Sequence, residues 1–191
     1  GLHDAPCLGS SEDTDPAAYM GSDMPVVDRD GNYLTHHAPC HENLPLHLAI
    51  YKARPDVGAI VHVYPLWTTM FTNKKQGLPF VLAEQLEASC NVQCVQSDPA
   101  MTEAYYEEVV TALADQRSVL LYNGEIICVG ANVDNAINYV AWMDSVAEKI
   151  ALAMAELETP GLGAEVLPDT QLTYLNQELI DHSKTETYLT W

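Results

Sequence analysis

Positive charge is what this sequence most lacks. Lys and Arg total 8 against 27 Asp and Glu in 191 residues, for a net charge of −19 at pH 7. A surface of that sign repels phosphate backbones and anionic bilayer faces, which argues against nucleic acid and membrane surfaces as partners. Long apolar runs are missing too: none approaches the roughly 20 residues that span a bilayer, and the opening stretch GLHDAPCLGS has neither the basic nor the apolar region of a signal peptide. No Asn-x-Ser/Thr sequon occurs, and the cysteines number five, at positions 7, 40, 90, 94 and 128, without framework spacing. Reduced thiols in a cytoplasmic protein fit this pattern. The pair in CNVQC reads as small apolar side chains beside a strand rather than a metal or redox pair.

What is present is enough for one domain with a real core, at 48% hydrophobic content. Residues 1–25, rich in Gly, Ser, Asp and Pro, read as loop, and MPVVDRDGNYL as two short strands about an Asp-Gly turn. ENLPLHLAIYKAR is a helix with Leu46 and Ile50 on its inner face, stopped by Pro55, and VGAIVHVY is a strand apolar on both faces, as in the middle of a covered sheet. Two helices follow, in LWTTMFTNKKQGLP and FVLAEQLEAS, then a strand in VQCVQ. DPAMTEAYYEEVVTALADQ is a helix with Pro99 in its first turn. SVLLY and EIICVG are strands about Asn123-Gly124. Residues 132–158 form the longest helix, with Ala136, Val140, Met143, Ala147, Ile150, Met154 and Leu157 on one face. The polar segment 159–191 reads as a tail over the surface or onto a neighbour. Strands alternating with helices, with no repeat or linker between them, predict one α/β layered domain over residues 1–191.

The strand VGAIVHVY ends on His62-Val63-Tyr64, two side chains that share a face and look into one space. His-x-His there would be half of a metal claw; His-x-Tyr leaves one imidazole. Upstream, HHAPCHE gathers His36, His37, Cys40, His41 and Glu42, all good ligands for zinc or a similar ion. A His-rich surface loop that binds nothing is the competing reading. His47, on the preceding helix, reads as a packed, hydrogen-bonded histidine rather than a ligand. Tyr64 reads equally as a hydrogen-bonding acid or as an aromatic filling space.

The blocks LPLHLAIYKARPDVGAIVHVYP, GLPFVLAEQLEA and SVLLYNGEIICVG, with the long helix after them, resemble the class II aldolase/adducin family in order and spacing over roughly residues 26–158. The resemblance implies a three-layer α/β/α sandwich about a central mixed sheet, assembled as a homo-oligomer, commonly a tetramer, with sites between subunits. Members include sugar-phosphate aldolases, an epimerase, a dehydratase, decarboxylases and the non-enzymatic adducin heads. Their chemistry uses a divalent metal, usually zinc, on three histidines to polarise a carbonyl. Aldolases of the family often take a proton donor from a neighbouring subunit's tyrosine, a part that Tyr174 or Tyr188 could fill.

Against that pattern the departures are heavy. The family's V-H-T-H-P becomes Val61-His62-Val63-Tyr64-Pro65, keeping the first ligand and replacing the second. Ungapped matching of L-L-R-N-H-G to Leu120-Leu121-Tyr122-Asn123-Gly124-Glu125 puts Gly124 at the third histidine and Glu125 at the next glycine. The P-S-S-E loop matches Pro39-Cys40-His41-Glu42, so the phosphate-binding serines are gone while the carboxylate is kept. The family's early helix and its G-N-x-S-x-R phosphate loop have no counterpart in the sequence.

Two readings follow. The first is a divergent lyase with a remodelled metal site: His62 with His41 or His37 holds a divalent ion, Glu42 moves the proton, Tyr64 assists, and the substrate is a small, unphosphorylated carbonyl compound. The second is a catalytically inactive, adducin-like oligomeric or ligand-binding module.

Overall fold

The most continuously apolar stretches become the sheet. A computed structural model describes residues 5–6, 25–34, 42–73, 77–79, 85 and 92–157. Its elements, in chain order, are β1 (Ala5–Pro6), β2 (Val26–Val27), α1 (Leu44–Ala53), β3 (Ala59–Val63), α2 (Thr68–Thr72), β4 (Cys94–Val95), α3 (Glu103–Leu113), β5 (Ser118–Leu121), β6 (Ile126–Gly130) and α4 (Val133–Leu157). β3, β6, β5 and β4 lie side by side in that order. The first two junctions are antiparallel and the last parallel, giving the mixed sheet that the family resemblance implied.

Both faces are covered. On one, Val119, Leu121, Ile127 and Val129 pack against Leu46 and Ile50 of α1 and Val109 and Leu113 of α3. On the other, Leu120, Ile126 and Cys128 pack against Met143, Val146, Ala147 and Ile150 of α4, with Phe71 of α2. These two layers of helix around one sheet are the α/β/α sandwich, and every residue of β5 and β6 is buried. Each fully buried Leu or Ile contributes roughly 1.5–3 kcal/mol over an exposed one, which anchors the central hairpin from both faces.

Several expectations need correction. β3 is the outer strand of the described sheet and is half-buried beyond Ala59, because a continuous apolar run does not by itself distinguish a central strand from a covered edge. Part of the expected N-terminal loop pairs instead, Ala5 opposite Val27. α3 begins at Glu103, not at Pro99: Thr102 is its cap, accepting from the Tyr105 N–H at 3.3 Å, while Asp98 takes up the Thr102 hydroxyl and the Ala100 N–H. On α4, Met154 is exposed, whereas Ala136, Met143, Ala147 and Ile150 are buried as expected. The helix expected in FVLAEQLEAS, apart from Gln85, and the tail 159–191 lie outside the described residues.

Long-range side chains set the helix ends. Arg54 grips Asp56 with two nitrogens at 2.7 and 2.8 Å and donates to the carbonyls of Ala114 and Gln116, tying the end of α1 to the end of α3. Asp144 of α4 accepts the N–H groups of Trp67 and Thr68 at 2.8 and 2.9 Å, capping α2 from across the layer. That second tie fixes the chain just after β3, where the candidate site lies. Among the described residues, no helix is long and apolar enough to cross a membrane.

Candidate functional site

The register of β3 on β6 builds the site. His62 stands opposite Ile127 and Val63 opposite Ile126, so one step beyond the ladder Tyr64 faces Glu125. Directly opposed residues share a face, which puts His62, Tyr64 and Glu125 together on the side covered by α1 and α3. α1 brings His47 to the same place: with Leu46 and Ile50 fully buried, the neighbouring imidazole is carried to the sheet.

The contacts form a chain. His47 Nε2 lies 3.1 Å from His62 Nδ1, the two rings tilted with centroids 5.3 Å apart. His62 Nε2 lies 3.1 Å from Glu125 Oε2, with side chains only 7% and 10% exposed. Although this charge contact is close, its direction is poor, and His62 Nε2 has no well-aligned hydrogen bond. Asn123 donates to Glu125 Oε2 from its amide nitrogen and receives the Glu125 N–H on its oxygen at 3.2 Å. Burial pushes the Glu125 carboxyl up, but its contacts with His62, Tyr64 and Asn123 outweigh that and hold it at about 2. It is a carboxylate at any ordinary pH.

Tyr64 closes the chain at the surface. Its side chain is 66% exposed, so it does not simply fill the space of a lost histidine. The hydrogen bond to Glu125, then burial of the hydroxyl and the negative charges of Glu125 and Glu42 push it up to about 12, so it remains a proton donor at neutral pH. Glu42, exposed at the entry to α1, is therefore within electrostatic range of Tyr64. Tyr105 of α3, buried, is likewise pushed up to about 12, mainly by burial and next by Glu125.

The hairpin turn is held in place by its own chemistry. Gly124 has φ +102, and a Cβ there would meet the Tyr64 ring at 3.4 Å and Thr69 Cγ2 at 3.3 Å. The Thr69 hydroxyl lies 2.6 Å from the Pro65 carbonyl and 2.9 Å from that of Gly124, pinning the turn to the end of β3.

Of the residues anticipated from sequence, the fold brings His62 and Tyr64 to one site, with Glu42 at its edge. His47 has the hydrogen-bonded place expected of it. His37, His41 and the rest of the 35–41 segment lie outside the described residues, as do Tyr174 and Tyr188. Sequence reasoning missed Glu125, which ungapped matching assigns to a glycine position. Among the described residues, no group of three His, Cys, Asp or Glu could hold a metal ion. A buried imidazole nitrogen without an aligned partner, 3.1 Å from an ionised carboxylate, does fit part of a divalent ion's donor set.

A mixed sheet between helical layers gathers His62, Tyr64 and Glu125 where the end of β3 meets the β5–β6 turn, and known proteins share this architecture. The profile of the Class II Aldolase and Adducin N-terminal domain matches residues 14–151, and the chain belongs to that family. It is 25% identical over 155 residues to the 5-deoxy-D-ribulose 1-phosphate aldolase of Bacillus thuringiensis, covering 80% of this chain and 70% of that one. An L-fuculose phosphate aldolase of Methanocaldococcus jannaschii is 27% identical over 114 residues, 60% of this chain and 61% of that one. Among solved structures, an L-fuculose 1-phosphate aldolase superposes with a TM-score of 0.76 at 24% identity, over 88% of this chain and 77% of the other.

Proposed function

We propose that the chain is a divergent class II aldolase-type lyase acting next to a carbonyl in a small, unphosphorylated substrate. The observation that carries this reading is the polar chain from half-buried His47 through His62 and Glu125 to exposed Tyr64, a linked set of acids and bases opening at the sheet's end. A decaying surface has no need to bury an ionised carboxylate against an imidazole; burying charge costs several kcal/mol unless it is paired.

Roles follow from protonation states. Tyr64, held protonated, would turn its one O–H from Glu125 to a substrate oxygen at the mouth. Glu42, exposed beside it, would carry the proton between substrate and water. His62, with His41 and His37 from the preceding loop, would hold a divalent metal, zinc being the ion that imidazole ligands suit. That ion, when bound, polarises a carbonyl and stabilises the negative charge that develops beside it. Among the described residues, the two groups whose charge reaches Tyr64, Glu125 and Glu42, are both acidic, and Cys40 and His41 stand where the P-S-S-E pattern has serines. Both features favour a neutral carbonyl compound over a phosphorylated one. The reading is of a cytoplasmic homo-oligomer of tetramer size.

A second reading, an inactive adducin-like binding module, draws on the protein contacts at both ring nitrogens of His62. The two are separated by following exchange of the α-protons of dihydroxyacetone in heavy water by NMR, with untagged protein whose metal content is measured. Metal-dependent exchange that is lost in His62→Ala, and faster than for dihydroxyacetone phosphate, supports the lyase. A metal-free, exchange-inactive oligomer supports the module, and a preference for the phosphate overturns the substrate class.

A further inference from the structure

Tyr64 and Glu125 face each other one step past the last pair of the β3–β6 ladder, Val63 with Ile126. The next step in that register sets Pro65 against Gly124. Pro65 has no N–H to offer the opposite strand, and the Gly124 N–H is spent on the Leu121 carbonyl at 3.2 Å. A rung that would close the strand end onto the turn therefore has two carbonyls and no backbone donor. The Thr69 hydroxyl supplies one, lying 2.6 Å from the Pro65 oxygen and 2.9 Å from the Gly124 oxygen. We propose that Thr69 is a positioning residue for Tyr64: standing in for the missing rung, its hydroxyl holds the end of β3 and the β5–β6 turn at the separation that aims the Tyr64 hydroxyl. The inference rests on the lyase reading above, in which Tyr64 donates to substrate, and adds a residue which that reading does not contain.

Three observations support it. The first is that Thr69 is placed independently of the turn. Asp144 accepts the N–H groups of Trp67 and Thr68, and the Thr72 hydroxyl lies 2.8 Å from the Thr69 carbonyl, so α2 is held at both ends of its first turn. The second is reach. A threonine on a helix commonly bonds back to the carbonyl four residues earlier, which accounts for Pro65 but not for Gly124, 55 residues away in sequence. The third is the space beside Gly124, where an added Cβ would meet Thr69 Cγ2 at 3.3 Å and Tyr64 Cδ1 at 3.4 Å. The Thr69 methyl and the Tyr64 ring edge therefore share one hollow over the turn.

Exposure explains why Tyr64 needs such a support. With 66% of the residue open to solvent, little packing fixes its ring. While the O–H rests on Glu125 the ring is held at its far end. Once the O–H turns to a substrate oxygen that hold is gone, and the hollow formed by Gly124 and Thr69 is what remains. A misplacement of about 1 Å at a reacting group can cost about 100-fold in rate, so a loosened rung is felt in the chemical step more than in binding.

The test follows exchange of dihydroxyacetone α-protons in heavy water by NMR, at matched metal content, in the parent, Thr69→Val, Thr69→Ser, Tyr64→Phe and the double variant Thr69→Val/Tyr64→Phe. Valine keeps the methyl and the shape of threonine and removes only the hydroxyl. Thr111→Val is the control, since it deletes a like bond to the Glu107 carbonyl, 2.7 Å away on α3. Expected are a loss of about 10-fold in kcat with KM within about two-fold for Thr69→Val, and rates within about three-fold of the parent for Thr69→Ser and Thr111→Val. The double variant should be no slower than Tyr64→Phe, because two residues acting through one group are not additive. An equal loss from Thr69→Val in the Tyr64→Phe background, or no loss in the parent background, overturns the assignment and leaves the lyase reading intact. A parent that exchanges no protons overturns both. Should Thr69→Val not fold, or Tyr64→Phe leave no measurable rate, the contact itself decides in the selectively labelled parent: a nuclear Overhauser cross-peak between the Thr69 methyl and the Tyr64 ring protons supports the assignment, and its absence refutes it.

Discussion

Glu125→Gln removes one charge and almost no volume, so its effect on the metal-free protein isolates what the buried carboxylate contributes to the fold. Holding that carboxyl at about 2 instead of its ordinary 4.5 corresponds to about 3 kcal/mol at ~1.4 kcal/mol per pH unit. The amide keeps some hydrogen bonding to Asn123 and Tyr64, and the side chain retains slight solvent contact, so the expected loss near neutral pH is about 1.5–3 kcal/mol. In a chain of 191 residues that lowers the melting temperature by roughly 4–10 °C. Because the folded-state value lies below the unfolded one, the contribution is complete above about pH 5 and disappears as the pH falls toward 2. The two proteins share every other acid, including Asp56, which its contacts with Arg54 also hold at about 2. The difference between their urea midpoints at pH 7, 5, 4 and 3, in the presence of a chelator, therefore reports position 125 alone. A difference that stays constant from pH 7 to pH 3, or a variant as stable as the parent, would refute the reading of Glu125 as a paired, ionised carboxylate.

Three further outcomes are expected. Gly124→Ala places a Cβ at φ +102 against the Tyr64 ring and Thr69, and should cost about 1–3 kcal/mol by chemical denaturation; Gly124→His, the simplest attempt to restore the family's ligand, should lose at least as much and fail to increase metal affinity. Asp144→Ala strips the acceptor from two N–H groups at the start of α2 and should destabilise by about 1–2 kcal/mol, with Asp144→Asn recovering part of the loss. Light scattering at micromolar concentration should show an oligomer of tetramer size, and a monomer there would contradict the assembly inferred from the family.

Much of the fold was legible because its signals are local. Pro45 and Pro55 bracket α1, with Leu46 and Ile50 four apart on its buried face; Asn123-Gly124 marks the β5–β6 hairpin, confirmed by the positive φ of Gly124. The start of α3 was misplaced because two signals compete within five residues. Pro99 satisfies the preference for proline in a first turn, but the hydroxyl of Thr102, itself held by Asp98, is what captures the free N–H of Tyr105.

The site was only half legible, and strand parity is the reason. In β3, His62 and Tyr64 stand out as polar side chains two apart, and period two assigns them one face without knowledge of the partner strand. In β6 there is no such contrast: Ile126, Ile127, Cys128 and Val129 are all buried, so nothing in the pattern says which alternate residues face α1. The face is decided by pairing with β3, a contact 65 residues distant in sequence for His62 and Ile127, and a shift of one residue exchanges the two faces of a strand. Ungapped matching to the family's pattern puts Gly124 at the third histidine, which leaves the site without that ligand. The observed ladder sets Glu125 opposite Tyr64, so it is the carboxylate, and not Gly124, that shares the face of His62.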